Sequence, residues 1–232
     1  MSRKVTFAPQ EFYHLYNRGT EKRKIFQTPT DHERFLALLY LCNGTKDVHI
    51  ADLLPRGRTS WNLAELLSSE REESLVDLCA YCLMPNHFHL LVREHTEKGI
   101  SRFMQKLSTA YTMYFNTRYA RTGALFQGKY RAEHAEEDRY LKYLLSYIHL
   151  NPIKLVEPKW KENGIANRKR SQAYLENYRW SSFLDYCGEE RVESRLVALG
   201  ALPKYFDTPE DFKATVTEWL TAQQGYTRSN LV

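Results

Sequence analysis

Apolar residues along this chain recur in two rhythms. Short β-prone runs occupy Glu11 to Arg18, which Gly19 closes, and Leu75 to Met84. The second run passes through Pro85-Asn86 into a further strand, His87-Phe88-His89-Leu90-Leu91-Val92. Elsewhere the apolar spacing changes to three and four. Phe35, Leu38, Leu39 and Cys42 predict a helix over about His32 to Cys42, with Asp31 as its N-cap. Ile100, Phe103, Leu107, Tyr111 and Tyr114 predict a long helix from Gly99 to the stretch between Arg118 and Gly123, with Arg102 and Lys106 on another face. Leu141, Leu144, Leu145 and Ile148 predict a third, over Asp138 to Leu150, whose acidic start suits the helix dipole. Pro152 biases Asn151 away from helical geometry and should end it there.

The remaining segments are less regular. Leu125 to Arg131 reads as a strand or extended edge. Within 43–75, Asn43-Gly44 breaks the preceding helix, Val48-His49-Ile50 suggests a short strand, Pro55-Arg56-Gly57 a turn, and Trp61 to Ser68 a helix. Beyond Lys159 the chain reads as peripheral: a basic patch Arg168-Lys169-Arg170, a turn at Trp180-Ser181-Ser182, and a last helix near Pro209 to Gln223. The order strand, helix, strand, strand, helix, strand, helix predicts an α+β fold. We expect a ferredoxin-like antiparallel sheet with helices packed on one face, plus a C-terminal helical extension. The expected division is 1–158, with an insertion at about 43–75, and 159–232.

Composition narrows the class without naming it. With 232 residues, 43% hydrophobic and 26% charged, the chain can bury one sizeable core. No apolar run is long enough to span a membrane and the first residues lack an apolar signal segment, so no membrane partner and a cytoplasmic location are expected. Four cysteines do not suggest a disulfide framework. Net charge is +5 but unevenly placed, with 16 Lys and Arg against 7 Asp and Glu between Lys98 and Trp180. That concentration favours a polyanionic partner such as nucleic acid, although a basic segment is also how a solvated face looks.

Candidate chemistry gathers at two places. Side chains alternate along a strand, so His87 and His89 share one face and lie close enough to hold one metal ion, while Phe88 points the other way. The alternative is a hydrogen-bonded strand pair. Tyr147 and Asn151 are one helical turn apart and share a face beside the Leu144/Ile148 stripe. A phenol near a cation is a credible nucleophile, because positive charge favours the phenolate. Cys79 and Cys82 form a Cys-x-x-Cys, superficially a zinc site. Three residues apart on a strand they face opposite sides, and Ala80-Tyr81 offers no turn, so free core cysteines are the better reading. His14 reads either as flanking the site or, the preferred reading, as an ordinary strand histidine; His149, on another helix face from Tyr147, reads as no ligand.

Several segments, in order, resemble the single-tyrosine transposases of the HUH (His-hydrophobe-His) superfamily, most closely the REP-associated tyrosine transposase branch. They are Tyr13-His14-Leu15-Tyr16-Asn17-Arg18-Gly19, Ile25-Phe26, Leu83 to Leu91, Gly123-Ala124-Leu125-Phe126-Gln127-Gly128-Lys129-Tyr130, and Tyr147-Ile148-His149-Leu150-Asn151-Pro152. The resemblance covers about residues 10 to 155. It implies that His87, His89 and Asn151 hold a divalent metal, Mg²⁺ or Mn²⁺. In related transposases the third position is often Gln, one methylene longer. It also implies that Tyr147 attacks single-stranded, hairpin-bearing DNA, leaving a 5′-phosphotyrosine and a free 3′-hydroxyl, with no nucleotide cofactor. A site with two imidazoles should prefer Mn²⁺ to Mg²⁺. For phosphate contacts the expected cations are Arg18, Lys22, Arg102, Lys106, Lys129 and Arg131. The alternative function is a transposase-derived protein that binds structured DNA or RNA without cutting. Monomer and homodimer stay equally open.

Overall fold

The structure, a computed structural model, describes residues 5–46, 61–70 and 73–219. Strands β1 (Phe12–Arg18), β2 (Val76–Met84), β3 (His87–Glu94) and β4 (Arg131–His134) form one antiparallel sheet in the order β2-β3-β1-β4. With α1 (Pro29–Leu41) after β1 and α3 (Gly99–Arg118) after β3, this is the ferredoxin-like arrangement. A short α2 (Leu63–Ser68) lies against α1. After β4 come α4 (Asp138–Leu150), α5 (Trp160–Asn163), α6 (Arg168–Glu176), α7 (Phe183–Tyr186) and α8 (Pro209–Trp219).

Strand alternation divides the core in two. Tyr13, Leu15, Phe88, Leu90 and Val92 point toward α1 and α3, where they meet Phe35, Phe103, Leu107 and Tyr111. Leu91, Cys82 and Met84 point the other way and meet Leu141, Leu144, Leu145 and Ile148 of α4. Helices therefore cover both faces rather than one. The single-face expectation holds for α1 and α3; α4 lies across the sheet from them because the second face of β2 and β3 is apolar as well and has to be buried.

Three local expectations change. Asp31 is not the N-cap of α1 but its third residue: the helix starts at Pro29, and the Asp31 carboxylate reaches back to accept the Gln27 and Thr28 N–H groups at 2.8 and 2.9 Å. Of the strand or extended edge expected over Leu125 to Arg131, only Arg131 lies in a strand, and Leu125 to Tyr130 form a loop. Phe126 and Tyr130 are buried from it and only one bridge, Gly19 to Phe126, joins it to the sheet, while Gly128 takes φ +116°. The true strand is the next segment. Third, a register shift between Leu78 and Ala80 inserts an extra residue into β2, so Cys79 and Cys82 face the same side, toward α4. Both remain free and buried, and burial pushes both thiols far above their ordinary range.

The segment after Lys159 is not peripheral. Leu83 N–H donates to Trp180 O at 2.9 Å, Ser182 N–H to Tyr81 O at 3.0 Å and Ala198 N–H to Leu78 O at 2.8 Å, so the tail lines the outer edge of β2. Arg191 ties it down, donating to Asp185 at 2.6 Å and to the Tyr81 hydroxyl at 2.9 Å. Unpaired groups on a strand edge need partners, and this segment supplies them. The expected short strand at Val48-His49-Ile50 and turn at Pro55-Arg56-Gly57 lie outside the described residues, as does the chain beyond Trp219. Among the described residues no helix is long and apolar enough to cross a membrane.

Candidate active site

The apolar run of β3 is interrupted on one face only, by His87 and His89. Their ring centroids are 5.1 Å apart with planes at 88°. The turn before β3 sets the first ring. Asn86 donates its amide N–H to Lys22 O at 3.1 Å, which leaves Oδ1 to accept from His87 Nδ1 at 2.6 Å. With Nδ1 carrying the proton, His87 presents the lone pair of Nε2. Gly19, whose N–H bonds Asn86 O at 2.9 Å, allows β1 to close on this turn; a Cβ there would sit 2.4 Å from Arg23 O.

The neighbouring strand orders the second ring. His14 is buried, stacks on His89 at 5.1 Å between centroids, and joins its Nε2 to His89 Nδ1 at 2.9 Å. When His89 carries the shared proton on Nδ1, its Nε2 carries a lone pair of the kind that binds a metal. Of the two readings of His14, the structure favours the one beside the site, and its even spacing from Tyr16 and Arg18 on a strand pairing with β3 is the signal in the sequence.

Opposite these rings lies α4. Tyr147 is held edge-on, its ring centroid 5.7 Å from His89 and 6.0 Å from His14. Helix α4 ends at Leu150, as expected, but Asn151 is not turned away from helical geometry. Asn151 keeps right-handed helical geometry, φ −54° and ψ −38°, and the chain continues as a tighter turn over Asn151–Leu155 with Pro152 in its first turn. In that tighter winding the Asn151 N–H bonds Ile148 O instead of Tyr147 O. The Asn151 side chain takes over, donating Nδ2 to the Tyr147 carbonyl at 2.8 Å. Its Oδ1 is then buried with no hydrogen-bond partner among the described residues.

Burial pushes the Tyr147 phenol above its ordinary pKa; Glu133, Tyr16 and Cys82 add to this, and the Asn151 amide opposes it. The chain alone therefore holds Tyr147 protonated. Glu133 is engaged by two other phenols, accepting from Tyr16 at 2.8 Å and Tyr140 at 3.0 Å. Among the described residues no group of three or more His, Cys, Asp or Glu side chains converges as a metal site. The Asn151 amide oxygen is a candidate third ligand beside His87 and His89. The donor set fits: two correctly presented imidazole nitrogens and one orphaned buried oxygen.

The predicted cations divide. Arg18 pairs with His87 across β1 and β3, and Arg131 pairs with Tyr16 across β1 and β4, so both lie on the imidazole face. Lys22 adjoins the site through its backbone, with an exposed side chain. The structure does not bring Arg102, Lys106 or Lys129 to this face. Arg102 and Lys106 bond the carbonyls of Thr45, Gly44 and Lys46 after α1, and Lys129 lines a groove against α3. His149 is buried against the tail, its ring bonded to the Ser182 hydroxyl at 2.7 Å and its pKa pushed down to about 3 by burial.

Fold and site define a class of protein: a ferredoxin-like sheet carrying an imidazole pair that faces a tyrosine on a separate helix. The model of the family described as "Transposase IS200 like" matches residues 10–151, and the chain belongs to this family of transposases. Membership makes it a DNA-binding protein of the transposase type. No curated protein sequence matches it. Among solved structures it is similar to the REP-associated tyrosine transposase bound to a REP hairpin. Identity is 10% over 83% of this chain and 90% of that one, with a TM-score of 0.49.

Proposed function

We propose that this protein cuts and rejoins single-stranded DNA, with Tyr147 as nucleophile and a divalent ion held by His87, His89 and Asn151. The observation that supports this reading is the orphaned Asn151 oxygen one helical turn from a phenol that packs edge-on against His89. Bound there, Mg²⁺ or Mn²⁺ would polarise a phosphoryl oxygen and lower the cost of ionising a nearby phenol. Imidazole donors favour Mn²⁺, with Mg²⁺ serving through abundance.

In the cleavage step the Tyr147 oxygen bonds to phosphorus and the bond from phosphorus to the 3′-oxygen breaks. The phenol loses its proton and the departing 3′-oxygen gains one. The products are a 5′-phosphotyrosine and a 3′-hydroxyl, which can run the step backwards on the same or another strand; energy stays in the covalent bond and no nucleotide is consumed. Asn151 and Tyr147 are positioned by one backbone feature, the tightened end of α4. The motif resemblance favours hairpin-bearing DNA as substrate and a cytoplasmic setting.

The test is a denaturing gel of the full chain incubated with a hairpin oligonucleotide carrying a single-stranded tail and Mn²⁺. A covalent protein–DNA species, absent with Tyr147→Phe and without metal, is expected. Tight binding with no covalent species under any divalent ion would instead mark a non-cleaving binder.

A further inference from the structure

Two cations beside this site have no part in the scheme above, and their placement is costly without a ligand. Arg18 ends β1 directly opposite His87 in the strand register. Its Nε is buried and has no hydrogen-bond partner among the described residues. Lys154 lies three residues beyond Asn151, in the same tight turn that carries the amide. It is half-buried, and neither it nor Arg18 makes an ion pair among the described residues. Burial and the Arg18 charge both push the Lys154 ammonium below its ordinary pKa, and exposed Glu162 only partly offsets them. The end of one strand and the turn after α4 thus set one cation beside each half of the donor set, Arg18 opposite His87 and Lys154 in the turn that carries Asn151.

Like charges held in partial burial are destabilising unless an anion lies between them. A planar guanidinium and a compact ammonium together suit the non-bridging oxygens of one phosphate. We propose that Arg18 and Lys154 form a seat for a single backbone phosphate of the bound strand, adjacent to the phosphate that Tyr147 attacks. This rests on the reading of the site given above and deepens it: the seat fixes which linkage faces the phenol. Pro152 and Ile153 are buried, so Lys154 is set rigidly relative to Asn151 and Tyr147. A phosphate on the seat is therefore registered against the nucleophile by the same turn.

The test is a binding cycle in the full-length Tyr147→Phe protein with Mn²⁺, which separates binding from cleavage. The probe is a hairpin oligonucleotide with a single-stranded tail, unmodified or with one uncharged methylphosphonate at each tail linkage in turn. Arg18→Gln and Lys154→Met should each weaken binding of the unmodified DNA about tenfold. Each should also lower the slope of log affinity against log salt by about 0.7, the value for one single-strand phosphate. At one linkage, the same for both variants, the methylphosphonate should weaken the parent and leave neither variant any further loss. Arg18→Lys and Lys154→Arg should recover most of the affinity, which a merely structural role would not require. Variants that lose as much on every methylphosphonate DNA as on the unmodified one, or that keep the parent salt slope, would overturn the seat. Absence of a covalent product with the unmutated protein would sink the nucleophile assignment and leave this cycle readable.

Discussion

On the face covered by α1 and α3, the central strands β1 and β3 present Tyr13, Leu15, Phe88, Leu90 and Val92; on the face covered by α4, the alternate positions of the same strands are His14, Tyr16, Arg18, His87 and His89. Both sets are ordered, but by different means. Packing chiefly orders the first, where Phe35 meets Phe88 at 5.1 Å and Tyr111 at 4.9 Å between centroids, with the Tyr13 hydroxyl tied to Ala8 N–H at 2.9 Å. The second is held by a chain of hydrogen bonds from Lys22 through Asn86 to His87, and from His14 to His89. One sheet thus buries apolar side chains on both faces and carries its imidazoles on only one of them. A strand has only two faces, so each residue serves one purpose.

The sharpest way to break this comparison is to damage the apolar side alone. Phe88→Ala should cost about 3–5 kcal/mol, the usual loss for a buried phenyl ring, read by urea unfolding. At temperatures where the variant is still folded, its metal requirement in the adduct assay should not move. A change in metal requirement would mean the two faces are coupled through β3. His14→Ala tests the opposite side. It removes the partner of His89 Nδ1, and the Mn²⁺ concentration giving half-maximal adduct should rise roughly 10–100-fold, with Tyr147 unchanged. An unaltered titration would reduce His14 to packing.

Asp31 is the polar exception on the apolar side. Burial alone would raise its carboxyl, but the Tyr119 and Tyr114 hydroxyls and the Gln27 and Thr28 N–H groups outweigh it, and the net shift is downward. A depressed folded-state pKa contributes stability that is fully present above the unfolded value, about 3.9, and is lost as pH falls through the folded one. Asp31→Asn should therefore lose about 1–3 kcal/mol at neutral pH and show a flatter decline below about pH 4, measured by denaturant unfolding. The smallest effect is expected from Lys106→Met. It removes carbonyl contacts after α1, costs about 1 kcal/mol, and leaves the salt slope of DNA binding unchanged. A slope lowered by about 0.7 would place DNA on the wrong face.

Much of this was legible in the chain because it is periodic. Helices α3 and α4 and strands β1 to β3 have strong apolar rhythms, and spacing and motif single out His87, His89, Tyr147 and Asn151, of which the structure sets His89 against Tyr147. What was not legible depends on contacts between distant segments. The β4 strand, Arg-Ala-Glu-His, has no apolar alternation because it is an edge with only partly buried side chains. The loop before it mimics a strand because Phe126 and Tyr130 fill the core from an irregular backbone. A bulge moved Cys79 to the face of Cys82, and no single residue in β2 announces it. His14 and Lys154 gain their significance only from strand register and from the turn after α4.

The tail along the outer edge of β2 changes how this protein can be cut down for study. Trp180, Ser182 and Ala198 cover backbone groups that would otherwise offer themselves to a second chain. A fragment ending at residue 158 retains both imidazoles and the phenol, yet bares a flat, adhesive rim. It should clump on expression, and the smallest useful piece must carry its own selvedge.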